Sequence, residues 1–136
     1  MRFTPMNEEP LARWHAVLLA RDEDSLPDLV AHDAVFRSPA LFQPAEGRDA
    51  VVGYLTAAMR VLGTDSFAYH REWRRDRGAV LEFTTELDGR EVHGVDMIEW
   101  DDDGLIRRFD VMVRPQSALT KVIEHMSAEL MRMLDA

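Results

Sequence analysis

Asp96 is the residue whose type and place invite chemistry. In the stretch EVHGVDMIEW (residues 91–100) side chains alternate as in a half-buried strand, yet one face reads Val92, Gly94, Asp96 and Ile98. The neighbouring segments sort by the same parity, because successive strand side chains point to opposite faces. Leu81, Phe83, Thr85 and Leu87 share a face in 79–87, and Phe109, Val111 and Val113 share one in 105–114. Together these faces hold one ionisable group. A carboxylate in apolar surroundings must be paired, protonated or hydrated. If desolvation dominates, its pKa rises and it serves as a proton donor or base near neutral pH. The plainer alternative is a buried Asp that only accepts hydrogen bonds from a neighbouring helix. Gly94 is open to two readings as well, a bulge that curves the sheet or space for a small ligand.

Other chemistry-bearing residues are sparse. His15, beside Trp14, is either an acid/base partner for Asp96 or a half-exposed helix residue. His93 and Asp96 are three apart, an odd separation that sends them to opposite strand faces and argues against a shared metal. His32, His70 and His125 form no ligand motif with nearby carboxylates. The run Asp101-Asp102-Asp103-Gly104 lacks the spacing of a calcium loop and reads as a solvated turn. The chain has no cysteine, which excludes thiol nucleophiles, disulfides and thiolate metal sites. No phosphate loop, dinucleotide fingerprint or nucleophile elbow occurs. The expectation is neither metal nor cofactor.

The elements that must position these residues follow from periodicity. Asn7 is a helix cap, with Glu8, Glu9 and Pro10 in the first turn, and Leu11, Trp14, His15 and Leu18 line one side of that helix. Ser25 starts a short helix through about Ala31, and Ala34 to Ser38 is a short strand stopped by Pro39. A helix spans 48–62 and ends at Gly63. From Phe67 the period becomes two, with strands near 67–75, 79–87, 90–100 and 105–114 and a tight turn at Asp88-Gly89. A closing helix covers about 117–134. This pattern predicts one α+β domain over 1–136, helices on one side of a curved antiparallel sheet.

Charge narrows the partners. Sixteen basic residues face 25 acidic ones, a net charge of −9 that repels nucleic acid and anionic membranes. The arginines at 71, 74, 75 and 77, interleaved with Glu72 and Asp76, read as a solvated strand edge and turn. No apolar run reaches the length of a membrane span, and the N-terminal residues lack a signal-peptide core, so a cytoplasmic protein is expected. The second sheet face, with His93, Val95, Met97 and Met112, suits a homodimer interface or docking of the closing helix.

With "AVFRSP" (34–39), "GRDAVVGYL" (47–55) and "VDMIEWDDDGLIRRF" (95–109) in this order, about 120 residues resemble the nuclear-transport-factor-2-like superfamily, in its SnoaL-like branch of small bacterial proteins. The resemblance implies a cystatin-like, conical α+β barrel whose helices close a pocket over the concave sheet, commonly in dimers. Members include ketosteroid isomerases, polyketide cyclases, dehydratases, epoxide hydrolases and non-catalytic binders. Comparison with the ketosteroid isomerases puts Asp96 where they keep a neutral carboxylic acid that donates to an oxyanion, an arrangement already known for them. It puts Trp14 in place of a donor tyrosine and Ser38 in place of the proton-moving aspartate. Trp14 keeps an N–H donor, but Ser38 alone is no general base. The implied pocket wall is Leu81, Phe83, Thr85, Ile98, Phe109, Val111 and Val113, with Tyr54 closing the top. The implied ligand is a small, largely apolar carbonyl compound of polyketide or steroid type, isomerised, cyclised or dehydrated without a cofactor. The other expectation is a non-catalytic binding or dimerisation module. Epoxide-hydrolase members use two aspartates and an arginine. Asp110 would be the second aspartate, but parity turns it away, and Arg107 falls on the face of Phe109 or beyond the rim.

Overall fold

The computed structural model describes residues 9–135; the Asn7 cap and Glu8 lie outside them. Helix α1 (Pro10–Ala20) opens with proline in its first turn, where a missing N–H is harmless, and ends at Arg21 in the left-handed conformation. A 3-10 turn (Glu23–Ser25) leads into α2 (Leu26–Leu29). Ser25 does not cap α2, because its hydroxyl donates to Asp22 at 2.6 Å. Strand β1 (Val30–Arg37) starts earlier than the sequence predicts: Val30 and Ala31 are buried, and Val30 pairs with Ile106. A two-residue β2 (Ala45–Glu46) precedes α3 (Arg48–Leu62). Gly63 stops α3, and a Cβ there would lie 2.5 Å from the Met59 carbonyl oxygen.

Four strands follow, β3 (Ala68–Arg75), β4 (Gly78–Leu87), β5 (Arg90–Trp100) and β6 (Ile106–Arg114), close to the predicted bounds. Asp88 and Gly89, both with positive φ, make the tight β4–β5 turn. The sheet runs β2-β1-β6-β5-β4-β3. The β3–β6 meander is antiparallel as predicted, but β1 lies parallel to β6, so the sheet is mixed. The excursion through β2, α3 and the strands β3 to β5 lets β6 return beside β1 in the same direction. Register shifts in β1, β3 and β5–β6 bend the sheet.

Helix α4 (Gln116–Asp135) packs with α3 on the sheet's inner face, burying Ala118, Val122 and Met126. This overturns the expectation that the closing helix docks on the second face. Two clusters of buried side chains result, one around Trp14 and Phe109, the other around Phe83 and Val122. Tyr54, Tyr69 and Val111 pack against both and join them.

Candidate functional site

Asp96 sits in the middle of β5, between Leu81 of β4 and Val111 of β6, and points into the inner layer with 7% of its surface exposed. Its Oδ2 accepts a hydrogen bond of 2.5 Å from the hydroxyl of Tyr69, on β3. That hydroxyl in turn accepts from the indole Nε1–H of Trp14 at 3.1 Å. The chain Trp14–Tyr69–Asp96 ties α1 to β3 and β5. No partner for Oδ1 occurs among the described residues. Burial pushes the Asp96 carboxyl up to about 7 against an ordinary value of 3.8, and the Tyr69 bond holds it from rising further. Burial first, then the adjacent carboxylate, drives the Tyr69 hydroxyl well above its ordinary value, so it stays a donor. Near neutral pH the pair therefore exists with Asp96 either ionised, a base at Oδ1, or protonated, a donor at Oδ1.

A narrow cavity of about 60 Å³ adjoins this carboxyl. Its wall is greasy: Leu18, Met59, Phe83, Phe109, Val122 and Met126 contribute from both helices and sheet. Ser38, Tyr69 and Asp96 bring hydroxyl and carboxyl groups to it, and among the described residues Asp96 and Tyr69 are its only ionisable lining side chains. Trp14 stands in the wall with its ring edge-on to Phe109 at 5.2 Å. Its indole N–H donates to the Tyr69 hydroxyl, the group that in turn donates to Asp96.

Of the predicted wall, Phe83, Phe109, Val111 and Val113 line the cavity with Asp96, as do the further candidates Ser38 and Trp14. Four residues do not. Leu81 and Ile98 have the expected parity but are sealed into the core, and Tyr54 stacks on Phe36 at 5.6 Å. Thr85 donates to the Leu62 carbonyl at 3.1 Å, fastening the end of α3 to β4. His15 is also placed elsewhere. One helical step turns it about 100° from Trp14, to a site 38% exposed where Nε2 is 3.2 Å from Glu72. Its ring touches only the edge of Tyr69, at 5.4 Å.

Gly94 fits neither sequence reading. It pairs in regular register with Phe83, without a bulge. A Cβ on it would lie 2.6 Å from the Phe83 ring and 2.5 Å from the Met112 carbonyl oxygen. The space beside Asp96 is thus reserved for the Phe83 ring, which forms the wall.

Sequence reasoning missed Tyr69. Phe67 and Tyr69 share a face at period two, a signal present in the segment 67–75, and both reach the cavity. The remaining charged candidates lie outside. Arg107 is exposed at the β5–β6 irregularity, and Asp110 faces Arg108 and Arg37 on the outer face, 3.3 and 3.5 Å away. His93 bonds Glu82 there at 2.8 Å, and Arg71 holds the same carboxylate through two 2.7 Å bonds. Arg74 and Arg77 pair with Glu9 and Asp102. Among the described residues no group of three potential metal ligands occurs, and no helix is long and apolar enough to cross a membrane.

An acid buried on a strand, roofed by helices over a bent sheet, defines a class of pocket protein, and sequence comparison gives the same class. Residues 11–109 match the model of the SnoaL-like domain, and the chain belongs to that family. It is similar to a structure from Pseudomonas aeruginosa described as a steroid delta-isomerase, at 43% identity over 93% of both chains and a TM-score of 0.88. A protein from Silicibacter pomeroyi DSS-3 with a cystatin-like fold is 29% identical over 93% of this chain and 90% of its own, at a TM-score of 0.83. An NTF2-like protein of unknown function from Mesorhizobium loti shares the fold at 21% identity, 78% and 88% coverage and a TM-score of 0.67. No curated protein matches the sequence.

Proposed function

We propose that this protein binds a small, largely apolar carbonyl compound and moves a proton on it through Asp96. The observation that carries the reading is the asymmetry of the carboxyl: Oδ2 is held by Tyr69, while Oδ1 is without a partner among the described residues beside an apolar cavity. A carboxylate at Oδ1 takes a proton from the carbon next to the ligand's carbonyl, becoming the carboxylic acid as the ligand becomes an enolate. Returning that proton to a different carbon isomerises the ligand and restores the carboxylate, with no cofactor consumed. A pKa near 7 suits both halves of the cycle. Similarity to a protein described as a steroid delta-isomerase supports isomerisation of an apolar, steroid-like compound as the reaction class. The narrow cavity favours a ligand smaller than a steroid.

The test is carbon–deuterium exchange in heavy water, followed by proton NMR on cyclic ketones and β,γ-unsaturated ketones. Exchange or isomerisation by the wild type, lost in a folded Asp96→Asn variant, supports the reading. Turnover that survives Asp96→Asn removes the carboxyl from the chemistry.

A second reading, a binding or homodimerising module, draws on the outer face of the sheet. Trp73, Val80 and Met97 run in one row there, and Trp73 and Met112 are 49% and 58% exposed. Such a patch suits a second copy of the chain. Sedimentation equilibrium of the wild type and Met112→Glu tests it: a dimer that the variant dissociates supports this face, and a monomeric wild type removes it.

A further inference from the structure

We infer that Ser38 is the second pole of the cavity, donating a hydrogen bond to an oxygen at the end of the ligand remote from Asp96. The ligand class is then an apolar skeleton with its reacting carbonyl near Asp96 and a second oxygen acceptor at the far end. This deepens the proposed role of Asp96 and rests on it.

Strand register supplies the geometry. Phe36 lies beside Phe109 and Arg37 beside Asp110 in the parallel pair. The pairing stops at Arg37, the end of β1; carried one residue further, the same register sets Ser38 level with Val111, which pairs with Asp96. Ser38, Val111 and Asp96 therefore form one row across three chain segments, and all three line the cavity. Two interstrand spacings separate the ends of the row by about 10 Å.

The state of the hydroxyl supplies the chemistry. Ser38 Oγ accepts from the Ala40 N–H at 2.9 Å, a local turn that takes up one of the oxygen's two lone pairs. The hydroxyl proton has no acceptor among the described residues. Between the two poles the floor is Val111, flanked by Phe83 and Phe109. A donor at one end, a carboxyl at the other and grease between them discriminate by the spacing of oxygens, since an unmet polar group is what such a site rejects most strongly.

Cyclohexanone and para-cyclohexanedione test this directly, as they share a ring and differ by one carbonyl across it. Dissociation constants for both are measured by NMR shift titration on the wild type, Ser38→Ala, Ser38→Thr and Asp96→Asn. Comparing the ratio of the two constants between variants cancels the dione's statistical advantage and its extra hydration. Ser38→Ala is expected to weaken the dione about fivefold more than the monoketone, Ser38→Thr to restore the difference, and Asp96→Asn to weaken both ligands. Equal effects of Ser38→Ala on the two ketones overturn the second pole and leave the Asp96 reading standing. Failure of both ketones to bind, or binding indifferent to Asp96→Asn, overturns the Asp96 reading and this inference with it.

Discussion

The Tyr69 hydroxyl donates to Asp96 Oδ2 at 2.5 Å while accepting from Trp14 at 3.1 Å, so one phenol fixes which oxygen of the acid is available. Tyr69→Phe removes the bond that restrains the carboxyl's pKa. The Asp96 midpoint is expected to move alkaline from about 7, as read by carbon-detected NMR of the carboxyl. The orphaned indole N–H should lower stability by about 2 kcal/mol in a denaturant titration. An unchanged midpoint would mean that Tyr69 does not sense the charge.

Stability should fall as pH rises from about 4 to about 7. The folded carboxyl titrates near 7 and the unfolded one near 3.8, so the folded state binds more protons in that interval. Each pH unit then removes on the order of 1 kcal/mol of unfolding free energy. Glu82 acts in the opposite direction and in a different window. Held down to about 2 by Arg71 and then His93, it adds stability above its ordinary 4.5 that is lost only as pH drops toward 2. Asp96→Asn is expected to flatten the neutral slope, with wild-type and variant urea midpoints compared at about pH 5 and about pH 8.

Gly94→Ala should be poorly tolerated despite the small change. The added methyl meets the Phe83 ring and a backbone oxygen of β6, and a backbone atom cannot swing aside. Overpacking of this kind costs about 2 kcal/mol. Adding Phe83→Leu should recover part of the thermal midpoint, because it relieves the ring contact and not the backbone one.

Arg60 bridges Glu23 at 2.8 Å and Glu129 of α4 at 3.1 Å, and these carboxylates raise its own pKa, Glu23 first. Arg60→Met is expected to loosen α4 locally. Amide hydrogen exchange around Val122 and Met126 should quicken, while global stability drops by about 1 kcal/mol or less because the pairs are partly exposed.

Much of this was legible in the residues. Parity alone put Asp96, Phe83, Phe109, Val111 and Val113 on one inner face, because strand alternation is geometric and survives tertiary context. Parity could not say which inward residues meet empty space and which meet other side chains, so Leu81 and Ile98 were assigned to a wall that the core in fact swallows. Glycine at 94 signalled a close approach, but the sequence does not name the guest, which is Phe83. His15 was a neighbour in sequence to Trp14 and not in direction, as a helix turns adjacent residues apart. Tyr69 escaped because its partner in hydrogen bonding lies 27 residues away on a strand two places across the sheet.

The sheet order makes β6, the last strand of the chain, an interior one, wedged between β5 and the much earlier β1. During synthesis Asp96 therefore lacks its neighbour Val111, and β1 lacks its parallel mate, until residues 106–114 have left the ribosome. Helix α4, which roofs the carboxyl with Val122 and Met126, arrives later still. The acid is born wet, with an ordinary affinity for protons, and becomes unusual only when β6 and α4 close around it.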